Sequence, residues 1–234
     1  MTHARPGHAT ANLDDVIVAA AVCPHPPLLV PEVARGAAAE VAELLDACDA
    51  AVEALLAADP TQVVVLAGGE PASWDAAAGG SLHGYGVDVH AGGRSDELPL
   101  GLTIGAWLLD RAGWDGARTY TTTDPDISGR TVVLVMADGS ARRSVKAPGH
   151  LDPRAEAFDA SIAAALASGD AAALAALDLD LADELLAAGA RPLALLGRLA
   201  SASMTKGTDL TARLRCDVAP FGVGYWVADW AFTA

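Results

Sequence analysis

VIVAAAVCPHPPLLVPE, residues 16–32, frames the rest of the chain. Residues 16–22 are an almost unbroken apolar run of strand length, the pattern of a strand buried on both faces. The run then meets His25, held between Pro24 and the pair Pro26-Pro27. Proline locks φ near about −65° and biases the residue before it to extended geometry, so this turn has little freedom. A buried strand ending in a proline-fixed histidine aims one imidazole at the cleft beyond the strand's C-terminal end.

Downstream, residues 32–59 carry Val41, Leu44, Leu45, Cys48, Val52, Leu55 and Leu56 at helical spacing, with Glu43, Asp46, Asp49 and Glu53 opposite. That is an amphipathic helix, ended by Pro60. Residues 62–66 are a second buried strand. Strand–helix–strand predicts a parallel pair with a right-handed crossover, hence an α/β fold. Gly68-Gly69-Glu70-Pro71, Gly79-Gly80-Ser81 and Gly84-Tyr85-Gly86 follow. Glycine this dense marks a loop closely approached by backbone or ligand. No GxGxxG opens a helix and no Walker ending is present, so a phosphate cradle is not indicated.

A second helix is predicted over 99–114, with Leu102, Trp107, Leu108 and Leu109 in the core, and a short strand over 119–123. Residues 131–137 and 140–146 flank Asp138-Gly139, a two-residue hairpin signal. Asp152-Pro153 opens a helix to about Ser168, Asp as cap and Pro at the first helical position, with Phe158, Ile162 and Leu166 on one stripe. Short Ala/Leu-rich helices, broken at Gly189 and Pro192, fill 170–199. Strands at 208–218 and 223–230 return to the sheet. No repeat or linker divides the chain. The expectation is a disordered tail over 1–12 and a single domain over 13–234.

Hydrophobic residues make up 52% of the 234 and charged residues 19%. Charges and prolines interrupt every run before the ~18 apolar residues of a membrane span. Residues 1–12 lack the apolar core of a signal peptide, so a cytoplasmic location and no membrane partner are expected. With 15 basic against 30 acidic residues the net charge is −15, a field that repels phosphate backbones and argues against nucleic acid as partner. Arg142-Arg143 with Lys146 is too small a basic cluster to reverse that. Cys23, Cys48 and Cys216 lack CxxC spacing and read as reduced, mostly buried thiols. No GxSxG or HExxH pattern is present. Ser81 and His83, two apart on a loop, do not make a nucleophile–base pair.

Several of these segments, in order, resemble the LigB-type class III extradiol ring-cleavage dioxygenase superfamily, and in particular its alanine-rich actinobacterial branch. They are the strand into Cys23-Pro24-His25-Pro26-Pro27; residues 63–70 leading to Gly80-Ser81-Leu82 and Gly84-Tyr85-Gly86; Asp152-Pro153-Arg154 with Glu156 and Phe158-Asp159; Gly189-Ala190-Arg191-Pro192-Leu193; and Pro220-Phe221-Gly222-Val223-Gly224-Tyr225. The resemblance implies three layers, a twisted mixed sheet with helices on both faces. It also implies Fe(II) held by two histidines and a glutamate, with a further histidine as acid/base, a facial arrangement that leaves room for a catecholate and O₂.

Position by position, the first ligand matches His25. The second falls on Gly69, the acid/base histidine on Ala141 and the glutamate on Ala187. The expected function is therefore a LigB-like protein without ring-cleaving activity or a cofactor, retaining a cleft at His25 for a small molecule or partner. Cleft candidates are His25, Glu70, His83, His150 and Arg142. Two alternatives stand beside it. In one, His25, Glu70 and His83 rebuild a site for Fe(II) or Zn and the protein is an active extradiol dioxygenase, an oxidoreductase. In the other it is an interaction subunit or homo-oligomeric scaffold. Its apolar surface would then lie around Trp226 and Trp230, four apart on one face of the last strand and placed to cap a sheet edge. Trp74, Trp107 and Trp114 read as packing residues.

Overall fold

The computed structural model describes residues 16–233. Its elements are β1 (Val16–Cys23), α1 (Pro31–Ala34), α2 (Ala38–Leu56), β2 (Gln62–Ala67), β3 (Ser73–Trp74), β4 (Gly79–Ser81), β5 (His90–Gly92) and α3 (Leu100–Arg111). They continue with β6 (Ala117–Thr121), β7 (Arg130–Met136), α4 (Ala155–Ser168), α5 (Ala171–Ala175), α6 (Leu179–Glu184), α7 (Ala190–Thr205), β8 (Asp209–Val218) and β9 (Tyr225–Thr233). Seven strands form a mixed sheet in the order β3-β6-β2-β7-β1-β9-β8, and β4 and β5 make a small separate pair. Within β6-β2-β7-β1 all neighbours are parallel, while β3, β9 and β8 each run antiparallel to the neighbour on which they were added. The expected tail over 1–12 lies outside the described residues.

The unbroken apolar runs are explained by two cores. Along β1, Ile17, Ala20 and Val22 face one core, and Ala19, Ala21 and Cys23 face the other. Phe158, Ile162 and Leu166 of α4 and Leu193 and Leu196 of α7 cover the first face. Leu44, Cys48 and Leu55 of α2 and Leu102 and Leu109 of α3 cover the second. Helix, sheet and helix are thus stacked, and a strand covered twice has no polar face to alternate with. Trp74, Trp107 and Trp114 pack partly buried against the second core. The three cysteines are free thiols; the hydrogen bond that the Cys48 thiol shares with Cys23 and its burial push the Cys48 thiol up. No helix among the described residues is long and apolar enough to cross a membrane.

Five expectations need correction, four of them about where elements begin and end. The helix over 32–59 is divided: Arg35, at φ 45°, separates α1 from α2, and Asp59 is turned to φ 51° ahead of Pro60. Proline disfavours the right-handed helical region for the residue before it, so α2 stops at Leu56. Residues 140–146 form no hairpin arm. β7 is already paired with β1 on one side and β2 on the other, so no free edge receives a returning strand. At the fourth helix, Asp152 makes a turn before the helix rather than its cap. Its carboxylate accepts from the Arg154 N–H at 2.9 Å, its carbonyl from the Ala155 N–H at 3.1 Å, and α4 begins at Ala155. Pro192, finally, does not break a helix. It sits in the first turn of α7, where its missing N–H has no helical acceptor to lose.

Trp226 and Trp230 do lie on one face, but they cap no edge. β9 runs between β1 and β8, and the two indoles are 0% and 2% exposed, packed into the first core. An apolar docking patch therefore does not exist at these residues. The Trp230 Nε1–H donates to the Leu166 carbonyl at 2.9 Å, satisfying a last-turn carbonyl of α4 that has no partner along the helix. Trp230→Phe should lower unfolding stability by about 2–4 kcal/mol, the loss of a buried hydrogen bond plus the vacated volume. Urea denaturation measures this; a change within about 0.5 kcal/mol would contradict the packing described.

Candidate functional site

The chain leaves β1 and β2 towards the α2/α3 face but leaves β7, which lies between them, towards the α4–α7 face. Neighbouring connections that diverge in this way open a crevice at the C-terminal strand ends, the usual binding place of an open parallel sheet. His25 follows β1, Gly68-Gly69-Glu70 follows β2, and Asp138 follows β7.

A clasp joins these strand ends. The His25 backbone N–H donates to Asp138 Oδ1 at 2.7 Å, and the ring Nδ1 lies 3.5 Å from the same oxygen. Beside it the Ala137 N–H donates to the Cys23 carbonyl at 2.8 Å, and the Gly189 N–H donates to the Asp138 carbonyl at 2.8 Å. The loop between α6 and α7 is thereby laid onto β7. Two glycines permit this approach. A Cβ on Gly189 would stand 2.6 Å from the Ala137 Cβ, and one on Gly68 would stand 2.8 Å from the Ala188 carbonyl oxygen. The first turn of α3 closes the other side, with Gly101 against the Cγ–Cδ2 side of the His25 ring. With Nδ1 turned to Asp138 and Cδ2 to Gly101, the Cε1–Nε2 edge is the part of the ring left to face the crevice.

The crevice is a cavity of about 370 Å³ walled by His25, the Gly68-Gly69-Glu70 turn, and Asp183, Ala187 and Arg191 of the α6–α7 segment. Arg191 Nη2 pairs with Asp183 Oδ2 at 2.6 Å, and both side chains are more than half exposed. Glu70 is exposed. Burial pushes the Asp138 carboxyl above its ordinary value, opposed by His25; burial and the nearby Asp138 charge also push the Tyr225 hydroxyl up. Larger hollows exist. One of about 650 Å³ between α4, α5 and α6 is mainly apolar, and one of about 400 Å³ beside β6 is lined by hydroxyls already bonded to one another, Ser73 with Thr121 among them. Neither has a histidine at its wall, though the hollow beside β6 carries Asp75, Asp124 and Asp126; the His25 crevice is the one that combines a histidine with carboxylates.

Of the candidates, His25 and Glu70 meet at this cavity and the others do not. His83 is exposed on a single turn with Nε2 2.8 Å from Asp88 Oδ1. His150, at φ 59°, is exposed with Nδ1 3.3 Å from the Val145 carbonyl. Arg142 is half-buried, its Nε enclosed without a hydrogen-bond partner, and is not part of the cavity wall. Ala141 is also displaced: its N–H donates to the Leu185 carbonyl and its carbonyl accepts from the Gly149 N–H. A rebuilt His25/Glu70/His83 centre is therefore not assembled. Among the described residues no group of three or more His, Cys, Asp or Glu side chains is placed to hold a metal ion, so the donors present do not fit one. Sequence reasoning missed Asp138, Asp183 and Arg191. Asp138 was read as a turn residue, and Asp183 and Arg191 lie on separate helices with no local pattern to pair them.

No family model matches the chain, and no curated protein matches it.

The segment after β7 is held by Asp159, 1% exposed, which accepts from the Ser140 N–H at 2.9 Å, from Ser140 Oγ at 2.8 Å and from Arg143 Nη1 at 3.1 Å. Burial nevertheless outweighs these partners and raises its pKa. A carboxyl with a folded value above its unfolded one contributes most below the unfolded value, about 3.9, and loses that contribution as pH rises through the folded value. The stability of the wild type relative to Asp159→Asn should accordingly fall as pH rises from about 4 towards neutrality. Urea unfolding at several pH values reads this, and a difference that rises with pH would contradict it.

Proposed function

We propose that this chain is a LigB-type protein that has lost the iron chemistry and uses the His25 cleft to bind a small molecule. One observation carries the proposal. Three positions far apart in sequence, matched by resemblance to metal ligands, line the same cavity, yet only His25 has a side chain able to ligate; the others are Gly69 and Ala187. The mixed sheet with helices on both faces agrees with such a fold without being specific to it. In the cleft, Asp138 holds the turn through the His25 backbone N–H, and its carboxylate lies 3.5 Å from the ring Nδ1, a buried atom with no hydrogen-bond partner among the described residues.

Protein reconstituted anaerobically with Fe(II) and then given air and a panel of catechols should consume no O₂ above the protein-free rate, and its metal content should be the same in His25→Ala. Stoichiometric iron lost in His25→Ala, together with ring opening, would overturn the proposal. The converse experiment is constructive. Gly69→His with Ala187→Glu should raise Fe(II) or Zn affinity by at least about tenfold over wild type, since three ligands would then share the cavity. Gly69 stands at φ 159°, where a side chain is strained, and its Cβ would meet the Thr122 Cγ2 at 3.2 Å, so folding of the double variant is checked first by circular dichroism. An unchanged affinity in a folded double variant would count against the positional match.

A further inference from the structure

β8 is the longest strand of the sheet and lies at its edge, with β9 on one side and no described strand on the other. Among the described residues no backbone–backbone hydrogen bond outside the β8–β9 ladder reaches residues 209–218. Alternate N–H and C=O groups along its outer side therefore stand without a main-chain partner. The devices that usually guard such an edge are sparse. The strand reads DLTARLRCDV, with no proline and no lysine. Its one irregularity is a bulge between Leu214 and Cys216, which leaves Asp209 to Leu214 as a regular stretch.

The two faces of this stretch differ. Leu210, Ala212 and Leu214 are half-buried against the first core, while Asp209, Thr211 and Arg213 alternate with them and are exposed. The strand is also neutral, two aspartates against two arginines, on a chain whose net charge is −15. Laid antiparallel on a copy of itself about a two-fold axis at Ala212, the stretch is self-complementary. On the apolar face Leu210 stands opposite Leu214 of the second copy, and Leu214 opposite its Leu210. On the polar face Asp209 stands opposite Arg215 of the second copy and diagonal to its Arg213. Arg215 already pairs with Asp229, so Asp209 of the second copy would complete a row of carboxylate, guanidinium and carboxylate. An axis at Arg213 instead would set two guanidiniums against each other and carry the pairing across the bulge.

We propose that a second copy of this chain adds here, β8 against β8 in antiparallel order about an axis at Ala212, joining the two sheets into one. The main chains supply the hydrogen bonds, and the leucine and charge pairs fix the register. The contact closes on itself, because each copy presents the edge that the other covers. β7 and its crevice lie three strands away, so the proposal stands apart from what the cleft binds.

Sedimentation equilibrium of the full chain from about 10 μM to about 1 mM should show a monomer–dimer equilibrium, a strand pair being at the small end of specific interfaces. Position 211 reads the register: it is exposed and, in this pairing, faces Arg213 of the second copy. Thr211→Asp should tighten the dimer and Thr211→Arg loosen it, each by about three- to tenfold, because the contact occurs twice. Association governed by net charge gives the opposite order, since an added arginine lowers the repulsion between two acidic chains. Circular dichroism checks that both variants are folded. Amide hydrogen exchange at residues 209–215 should slow from the dilute to the concentrated end of the range. A strict monomer up to about 1 mM, variants that are equal or in the reverse order, or a dimer whose added protection lies outside 209–215 overturns the proposal. So does a monomer in which all of these amides are already slow, because the edge is then covered from within the chain.

Discussion

Asp138 Oδ1 accepts the His25 backbone N–H at 2.7 Å, and the Asp138 carbonyl accepts the Gly189 N–H at 2.8 Å. One residue therefore ties the end of β1 to the end of β7 and both to the loop that opens α7. Removing the carboxylate would leave the His25 N–H without its acceptor inside a turn whose prolines cannot readjust φ. The position of the imidazole, the seating of the α6–α7 loop and the shape of the crevice all depend on this clasp. The carboxyl is buried enough for its pKa to rise, so the clasp is held at an electrostatic cost.

The fold puts this clasp where a ligand can reach it. β7 sits between two strands whose connections leave on the opposite face, and the crevice opens on both sides of it. Glycines at 68 and 189 let backbone approach backbone there, and the polar side chains arriving from the α6–α7 segment face the turn after β2. A cavity built from strand ends and a loop is rigid at its base and open at its rim, a geometry suited to holding a small molecule. The histidine is oriented, but the nearby carboxylates are not arranged to share a metal ion with it.

Much of the frame was legible along the chain. Apolar runs at β1, β2 and β7 and the helical stripe of α2 follow from periodicity alone, because burial on both faces leaves no alternation to hide them. Asp138-Gly139 misled for a physical reason: the dipeptide favours a hairpin only if the preceding strand has a free edge, and strand order is a long-range property. Trp226 and Trp230 were placed on the right face, yet whether that face meets solvent or a helix layer depends on β8 lying outside β9. In the cleft, His25 was visible through its prolines and Glu70 through its glycines. Asp183 and Arg191, eight residues apart on different helices, become a pair only when the loop between them is folded back onto β7.

By itself the sequence determined the α/β order of elements, the proline-held turn at His25 and the strongly acidic charge, since these are set by local sterics and composition. Tertiary structure alone decided which side chains share the crevice. It brought Glu70, Asp183 and Arg191 to His25 and left His83, His150 and Arg142 outside the wall. The reason is that residues far apart in sequence are brought together by strand order and by the hydrogen bonds that seat the loops, and no local pattern encodes either. His25 is fixed by its neighbours in the chain; its company is fixed by the sheet.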